Sequence, residues 1–354
     1  MPTRLTEGPA ARLLDRRWRL LAGLGLSLLC LWLALRKISL PALAEALSAV
    51  RWGWLIPAVL SVGIGTGIKA LRWRALFFPQ RIPLRKAWAV FVIGQMLNIV
   101  LPARAGEVGR IYLIGGAKEV SRARALSTVI VEKAADLTML ALAYGIVAAW
   151  SAALPAGLPD WLRGAGLRSV VPAALVTGGL LFLAYAGRRA WRLLRLGLRW
   201  LPASWLAWAD AAADQGLAAF AVLRNGWVSA QVWGWSLVVW LLAAWTNDLL
   251  FHAFRLSLPA YAALLLLVVL MSGVSIPPLP VNLGVFPYLC TLVLSLFGVD
   301  RETSLAYGLV LQGVAYLPLI LLGSLCMLRE NGLSFSRPGG EDAAGRPGTG
   351  RPQL

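Results

Sequence analysis

An otherwise apolar stretch at residues 98–115, NIVLPARAGEVGRIYLIG, carries charged residues beside residues that interrupt a helix. These residues are Arg104, Glu107, Arg110, Pro102, Gly106 and Gly109. Because Pro102 cannot donate the helical hydrogen bond, a helix is predicted to end near Leu101. The two glycines permit a tight return, and a new helix beginning near Gly106 would direct its free N–H groups at an anion.

The two arginines of this stretch add positive charge that can bind a phosphate group in a bidentate manner. The predicted ligand of Arg104 and Arg110 is therefore a lipid phosphate. Glu107 is predicted to act as a gate, or as a salt-bridge partner that holds the arginines when no lipid is bound. An ionisable residue inside a membrane indicates function, because its burial costs free energy. The alternative is a cytoplasmic loop whose charges are solvated.

A second charged cluster follows in STVIVEKAAD, residues 127–136. Its polar members at i, i+4 and i+8 share one helix face and are Thr128, Glu132 and Asp136, with Lys133 adjacent. Two carboxylates one turn apart in a low-dielectric bundle cannot both ionise without a cation nearby. Either Arg104 or Arg110 pairs with them, or one carboxyl group keeps its proton. We favour pairing, because the arginines would otherwise be unpaired as well.

A second break lies at residues 276–289, IPPLPVNLGVFPYL, and carries no charge. Its backbone chemistry resembles that of the first break, with Pro280 and Gly284 among the residues that interrupt a helix. Asn282 is the one obvious side-chain ligand in this segment. We therefore add Asn282 to the candidate substrate-binding residues.

The composition indicates an integral membrane protein. The 354 residues are 59% hydrophobic and 14% charged, with a mean hydropathy of +0.71, which lies outside the range of soluble domains. The net charge of +18 does not indicate nucleic-acid binding, because the cations lie between apolar runs rather than along one soluble face. They are better explained as topology determinants and as contacts for anionic inner-leaflet lipids.

Hydropathy and length predict an all-helical fold with about six full spans. The predicted spans are 18–35, 52–71, 127–151, 168–186, 228–251 and 304–327. Two further apolar stretches, 86–115 and 260–298, are interrupted by Pro and Gly.

The interrupted stretches decide the topology. Segments 72–86 and 104–124 are both strongly basic, so both are expected on the cytoplasmic side. The stretch 86–115 would then be a re-entrant hairpin, and 260–298 a second hairpin that opens from the outside, as in inverted-repeat transporters. The alternative is eight ordinary spanning helices with kinks.

The same charge count predicts cytoplasmic N- and C-termini. Residues 1–330 are expected to form one transmembrane domain, and the polar segment 331–354 a disordered cytoplasmic tail. Within 188–208 a face of arginines and several tryptophans is compatible with an interfacial helix or with a simple connector.

The sequence contains few residues that could bind a metal ion or a cofactor. The chain has one histidine, and no Walker motif, Asp-x-Asp signature or nucleophile elbow is present. We therefore expect no metal site, no cofactor and no catalytic residue.

The motifs resemble those of a known family, the membrane region of lysylphosphatidylglycerol synthases, which also occurs as stand-alone flippase-like proteins. The similarity covers the chain to about residue 328. It is carried by Asn98 with LPARAGE and Arg110, by STVIVEKAAD, by ALRWRAL at 70–76, and by the break at 276–287 followed by FGV. In two places the chain differs from the family pattern: Val281 and Asn282 replace glycines of the second break, and Gln312 stands where an arginine is common.

The resemblance implies a polytopic protein of the bacterial inner (cytoplasmic) membrane that moves a phospholipid or a polyprenyl-linked lipid between leaflets, with Asn98 in the binding set. Transport rather than an enzymatic reaction is expected, and a homo-oligomer is compatible with it. The alternative is a membrane-embedded transferase, or an accessory subunit of one, that acts on a lipid-linked sugar or aminoacyl lipid. A membrane scaffold without transport activity is a third hypothesis.

Overall fold

The part of the chain that the computed structural model describes comprises residues 39–101, 105–115, 120–150, 165–198, 200, 202–274 and 284–330. The predicted span at 18–35 and the predicted tail at 331–354 lie outside these residues. Within them the chain forms α-helices and short 3-10 turns and no strand. The prediction of an all-helical fold is confirmed.

The helices in chain order are α1 (Leu40–Ser48), α2 (Leu55–Ala75), α3 (Leu84–Val100), α4 (Ala105–Gly115), α5 (Arg122–Ala149), α6 (Ala165–Gly197), α7 (Ala203–Ala221), α8 (Gly226–Ala253), α9 (Ala260–Val274), α10 (Val285–Ser295) and α11 (Arg301–Glu330). Two 3-10 turns, Trp52–Trp54 and Val222–Arg224, precede α2 and α8.

Three helical segments of the described residues are long and apolar enough to cross a membrane. They are Trp52–Ala75, Gly226–Ala253 and Arg301–Arg329, and they confirm the predicted spans at 52–71, 228–251 and 304–327. The shortest has 24 residues, which at 1.5 Å per residue is about 36 Å and exceeds the roughly 30 Å of bilayer hydrocarbon.

These long helices present apolar side chains outward. Ile56, Leu60 and Ile64 of α2 are exposed at i, i+4 and i+8, and so are Leu317, Leu321 and Leu325 of α11. Residues at this spacing lie on one face of a helix. A continuous exposed apolar face is the surface expected where a helix meets lipid.

Helices α5 and α6 occupy the predicted spans at 127–151 and 168–186. Ser121 begins α5, its hydroxyl oxygen accepting a hydrogen bond from Arg124 N at 3.2 Å. Helix α6 continues without a break through residues 188–197, and α7 follows after a short turn. The arginines at 188–195 thus belong to the end of a long helix, and the position of 188–208 at the membrane surface stays a prediction.

The first broken stretch folds into a helical hairpin of α3 and α4. Helix α3 ends at Val100 and α4 begins at Ala105, which confirms the predicted helix end near Leu101 and the helix start near Gly106. Residues 94 and 106 lie in direct contact across the break, so the chain reverses there. With 11 residues, α4 extends about 16 Å and is too short to cross a bilayer.

Helices α9 and α10 form a second hairpin around the other break. A side chain at Gly273 near the end of α9 would meet Leu289 of α10, so these helices also pack side by side. Helix α10 has 11 residues as well. Helices α4 and α10 are each too short to cross a bilayer alone, and the choice between re-entrant hairpins and eight kinked spans stays a prediction.

Three apolar clusters hold the described elements together: a small one between α5, α7 and α8 and two larger ones. The largest one packs α2, α5, α8, α9, α10 and α11 around Phe251 and Tyr307, which are 1% and 0% exposed. A second cluster joins α2, the first hairpin and the start of α5, with Trp73, Phe77 and Phe91 at its centre. This second cluster lies beside the charged residues that form the candidate site.

Candidate functional site

The charged residues of the hairpin and of α5 meet two further cations from α2. We call this group the central charged cluster, and its members are Lys69, Arg72, Glu107, Arg110, Glu132, Lys133 and Asp136. It brings together helices α2, α4 and α5, with a contribution from α8.

The innermost contact is a buried ion pair between the hairpin and α5. Arg110 Nη1 donates to Glu132 Oε2 at 3.0 Å, and Arg110 Nη2 donates to Glu132 Oε1 at 3.4 Å. The guanidinium carbon lies 5.2 Å from the ring centre of Trp73 and 4.8 Å from that of Phe91. A desolvated guanidinium on aromatic faces gains cation–π attraction. The predicted pairing of an arginine with these carboxylates is therefore present.

Arg72 makes the second buried contact. Its Nη1 donates to Asp136 Oδ1 and to Ser236 Oγ of α8, both at 2.7 Å. Its Nη2 lies 4.0 Å from Glu132 Oε1. Arg72 thus contacts both Glu132 and Asp136, which lie one turn apart on α5. A cation close to both is needed if the two carboxyl groups are to be ionised together.

Thr128, the third member of the predicted helix face, is fully buried and supports an aromatic wall of the site. Its Oγ1 accepts a hydrogen bond from Trp73 Nε1 at 3.1 Å and donates to Ala125 O at 2.7 Å. Both polar atoms of this contact are satisfied, so Trp73 is fixed against Arg110.

The hairpin brings its two helices together through glycines. A Cβ atom at Gly106 would collide with Gly94 O, and one at Gly94 would collide with the Arg110 side chain. Asn98 Oδ1 accepts a hydrogen bond from Glu107 N at 3.2 Å, across the break. Asn98 therefore binds one of the free N–H groups at the start of α4. Gly106 lies within α4, where it allows the two helices to pack closely. We had predicted that it would form the tight return instead.

Gly109 also lies inside α4, where a Cβ atom would come 3.1 Å from Leu97 Cδ1. It too is a packing position. A flexible leucine side chain can move aside, so this position tolerates a substituent better than Gly106 does.

Glu107 and Lys133 form the outer part of the cluster. Lys133 Nζ lies 2.7 Å from Glu107 Oε1, and the two side chains are 37% and 20% exposed. By contrast, Arg72 and Arg110 have no exposed surface. The pair joins the start of α4 to α5 and is more exposed than the two buried arginines.

Several cationic donors of the cluster lack an acceptor within the described residues. These atoms are Arg72 Nε, Arg72 Nη2 and Arg110 Nε. Lys69 interacts electrostatically with Asp136 and Glu132, yet the described residues contain no carboxylate within 4.0 Å of it. Buried donors without an acceptor are costly, and a bound water molecule would satisfy them.

Four of the candidate residues, Pro102, Arg104, Pro280 and Asn282, lie outside the described residues. Gly284 directly precedes α10. Arg110 lies at the heart of the cluster, where its pairing with Glu132 and its complete burial leave no surface for a phosphate. We therefore reassign it to holding the hairpin against α5.

Sequence reasoning missed the contribution of α2. Lys69 comes from the predicted span at 52–71 and Ser236 from an uncharged span. Arg72 and Trp73 come from the segment 72–86, which we expected on the cytoplasmic side, whereas the structure buries both within α2. The signal that could have found Arg72 is its place three residues after Lys69 in an apolar helix, where unpaired cations are costly. The described residues contain no group of His, Cys, Asp and Glu arranged to bind a metal ion.

The chain matches the family model described as the lysylphosphatidylglycerol synthase TM region over residues 20–323. No curated protein matches the chain at the similarity required. The family match covers most of the chain and both hairpins, and it places the chain among membrane proteins that act on lipids. The chain belongs to the family of the lysylphosphatidylglycerol synthase transmembrane region.

Proposed function

We propose that the protein moves a phospholipid or a polyprenyl-linked anionic lipid between membrane leaflets, as a flippase or scramblase, with the lipid phosphate bound at the central charged cluster. The observation that carries the proposal is the charge of this cluster. At their ordinary charges its described members comprise four cations and three carboxylates. A phosphodiester has one negative charge, so one lipid phosphate balances the cluster.

The outer ion pair is the proposed gate. Because Glu107 and Lys133 keep part of their surface exposed, a phosphate can replace the carboxylate of Glu107 on Lys133 without opening the buried Arg110–Glu132 pair. Charge-assisted bonds to phosphate and to carboxylate are of similar strength, so the exchange has a small net cost. Arg104 remains a proposed second contact for the phosphate.

The path of the lipid depends on the hairpins. We propose that both are re-entrant and enter from opposite faces, as in inverted-repeat transporters. The lengths of α4 and α10 support this, because a helix of 11 residues reaches about half of the hydrocarbon thickness. Backbone groups that are not in a helix are tolerated at membrane depth only where they face protein or water. The break would therefore line a polar route, along which a lipid headgroup can pass.

The proposed location is the inner (cytoplasmic) membrane, with the two ends of the first hairpin, where it connects to α2 and to α5, on the cytoplasmic side. In that orientation the first hairpin opens to the leaflet in which anionic lipids are concentrated. The phosphate would enter the central charged cluster from the cytoplasmic surface.

The proposal is tested by a leaflet-exchange assay. The full chain is reconstituted in liposomes that contain a fluorescent phospholipid, and dithionite bleaching follows the exchange rate. Lys133→Gln is expected to slow exchange about tenfold or more, because a charge-assisted hydrogen bond to phosphate contributes about 1.5–3 kcal/mol. Lys133→Arg keeps the charge and is expected to keep most of the rate.

Arg85→Gln is the matched control, because Arg85 is an exposed cation at the start of α3. It is expected to exchange lipid at the parent rate. Arg104→Ala, which tests the second phosphate contact, is expected to slow exchange. Equal rates for the parent, Lys133→Gln and Arg104→Ala would remove the phosphate site from the mechanism.

A second candidate function is a membrane-embedded transferase or an accessory subunit of one. It is favoured by the family description, which names the transmembrane region of a synthase. Mass spectrometry of the lipids from the same liposomes distinguishes the two functions. A new lipid mass that appears only with the protein and an activated donor would favour the transferase.

A further inference from the structure

A cleft separate from the central charged cluster lies between the end of α6 and the first half of α7. Its volume is about 1000 Å³, at the upper end of small-ligand sites. The lining combines charged side chains with aliphatic ones. It comprises Arg189, Arg192, Leu193, Arg195, Leu196, Ala203, Leu206, Ala207 and Asp210.

The single carboxylate of the lining is fully engaged by its neighbours. Arg195 Nη2 lies 2.9 Å from Asp210 Oδ2. Trp191 Nε1 donates to the other oxygen, Asp210 Oδ1, at 3.0 Å. These two contacts hold the end of α6 against α7 and fix the floor of the cleft.

The positive charges of the other two arginines of the lining are not balanced by a nearby carboxylate. Within the part of the chain that the structure describes, neither Arg189 nor Arg192 has a carboxylate within 4.0 Å. Cations near a helix C-terminus interact favourably with the helix dipole, but that effect is only about 0.3–1 kcal/mol each and does not need three arginines on one cleft. The cleft therefore carries a net positive charge that suits an anion.

The surroundings of the cleft indicate where that anion comes from. Leu193 is 70% exposed, and Trp200 and Trp205 are 78% and 65% exposed. Tryptophan prefers the headgroup level of a bilayer, and exposed leucines suit acyl chains. An arginine-lined cleft with an apolar rim matches a phospholipid, whereas a free anion would gain nothing from the rim.

We propose that this cleft binds the headgroup phosphate of an anionic phospholipid. The phosphate contacts Arg189, Arg192 and the N–H groups of Arg195 that do not face Asp210. Guanidinium groups bind phosphate oxygens in pairs, which fixes the headgroup within the cleft. The acyl chains lie along Leu193 and Leu196. This is a second lipid site, and it does not depend on transport through the central charged cluster.

The test uses the full chain in detergent, titrated with phosphatidylglycerol and followed by native mass spectrometry. The double variant Arg189→Gln/Arg192→Gln is expected to weaken the binding of one lipid about tenfold or more, since two charge-assisted contacts are lost. The matched control, Arg81→Gln/Arg85→Gln, removes the same charge from exposed arginines near the start of α3 and is expected to change the affinity less than about twofold.

Glycerol 3-phosphate distinguishes a lipid site from a site for free phosphate. At the lipid's own concentration it is expected not to displace the bound lipid. Equal weakening by both double variants, no weakening by either, or displacement by glycerol 3-phosphate would each overturn the proposal.

Discussion

Arg110 Nη1 lies 3.0 Å from Glu132 Oε2, and the two side chains are 0% and 3% exposed. This contact joins the short helix α4 of the first hairpin to the long helix α5. A charge placed in hydrocarbon is tolerated only when it is paired and hydrogen-bonded. The ion pair therefore fixes the position of the hairpin, whereas the Glu107–Lys133 pair at the start of the same helix is more exposed.

Breaking the buried ion pair on one side is expected to destabilise the protein strongly. Glu132→Gln leaves the buried Arg110 without a counter-charge, and such a loss costs about 3–5 kcal/mol. The double variant Arg110→Met/Glu132→Leu removes both charges and is expected to lose less than the single variant. The measurement is the free energy of unfolding in detergent. A double variant that is less stable than the single one would show that the pair does not act through charge compensation.

Gly106→Ala is expected to separate the two helices of the hairpin. The new Cβ atom would collide with Gly94 O, and a backbone oxygen in a helix cannot move aside as a side chain can. Overpacking of this kind costs about 1–3 kcal/mol or more. Gly63→Ala is the matched control, because nothing lies within 4 Å of its new atom. Thermal unfolding of both variants is the measurement, and equal melting temperatures would contradict the packing argument.

Thr128→Val is expected to cost about 1–3 kcal/mol, because it leaves the buried Trp73 Nε1 without an acceptor. Thr66→Val is the control. Thr66 is buried as well, but its hydroxyl donates only to Val62 O of its own helix at 2.8 Å, so its removal leaves no side-chain donor unpaired. Denaturant unfolding compares the two variants. Equal destabilisation would mean that the indole contact does not support the site.

The breaks in the helices could be predicted from the sequence because proline acts locally. Pro102 cannot donate a helical hydrogen bond whatever surrounds it, and the helix ends at Val100 as expected. The i, i+4, i+8 spacing of Thr128, Glu132 and Asp136 likewise gave their common face, since the helix period fixes it.

The partners of these residues could not be predicted in the same way. Arg72 meets Asp136 across 64 residues of sequence and Ser236 across 164, and a single sequence does not say which distant helices pack together. The same limit explains the assignment of phosphate binding to Arg110, whose burial follows from its tertiary neighbours Trp73 and Phe91.

The arginine face of 188–208 shows a different limit. A basic stripe with tryptophans suits the membrane surface, but it does not say whether the helix starts there or arrives from a longer span. Helix α6 extends to Gly197, and nothing at residues 186–188 interrupts it.

The central claim is that a lipid phosphate binds Lys133 in place of Glu107, and it is tested most directly by measuring that contact. Solid-state NMR of the full chain in phospholipid bilayers, with ¹⁵N at the lysine side chains, detects which Nζ atoms lie within about 5 Å of lipid ³¹P, the separation expected for a direct hydrogen bond. If the phosphate replaces Glu107 on Lys133, a ¹⁵Nζ signal is dephased by phosphorus, is absent in Lys133→Arg and grows in Glu107→Gln. A dephased signal that is the same in the parent and in Lys133→Arg would contradict the claim.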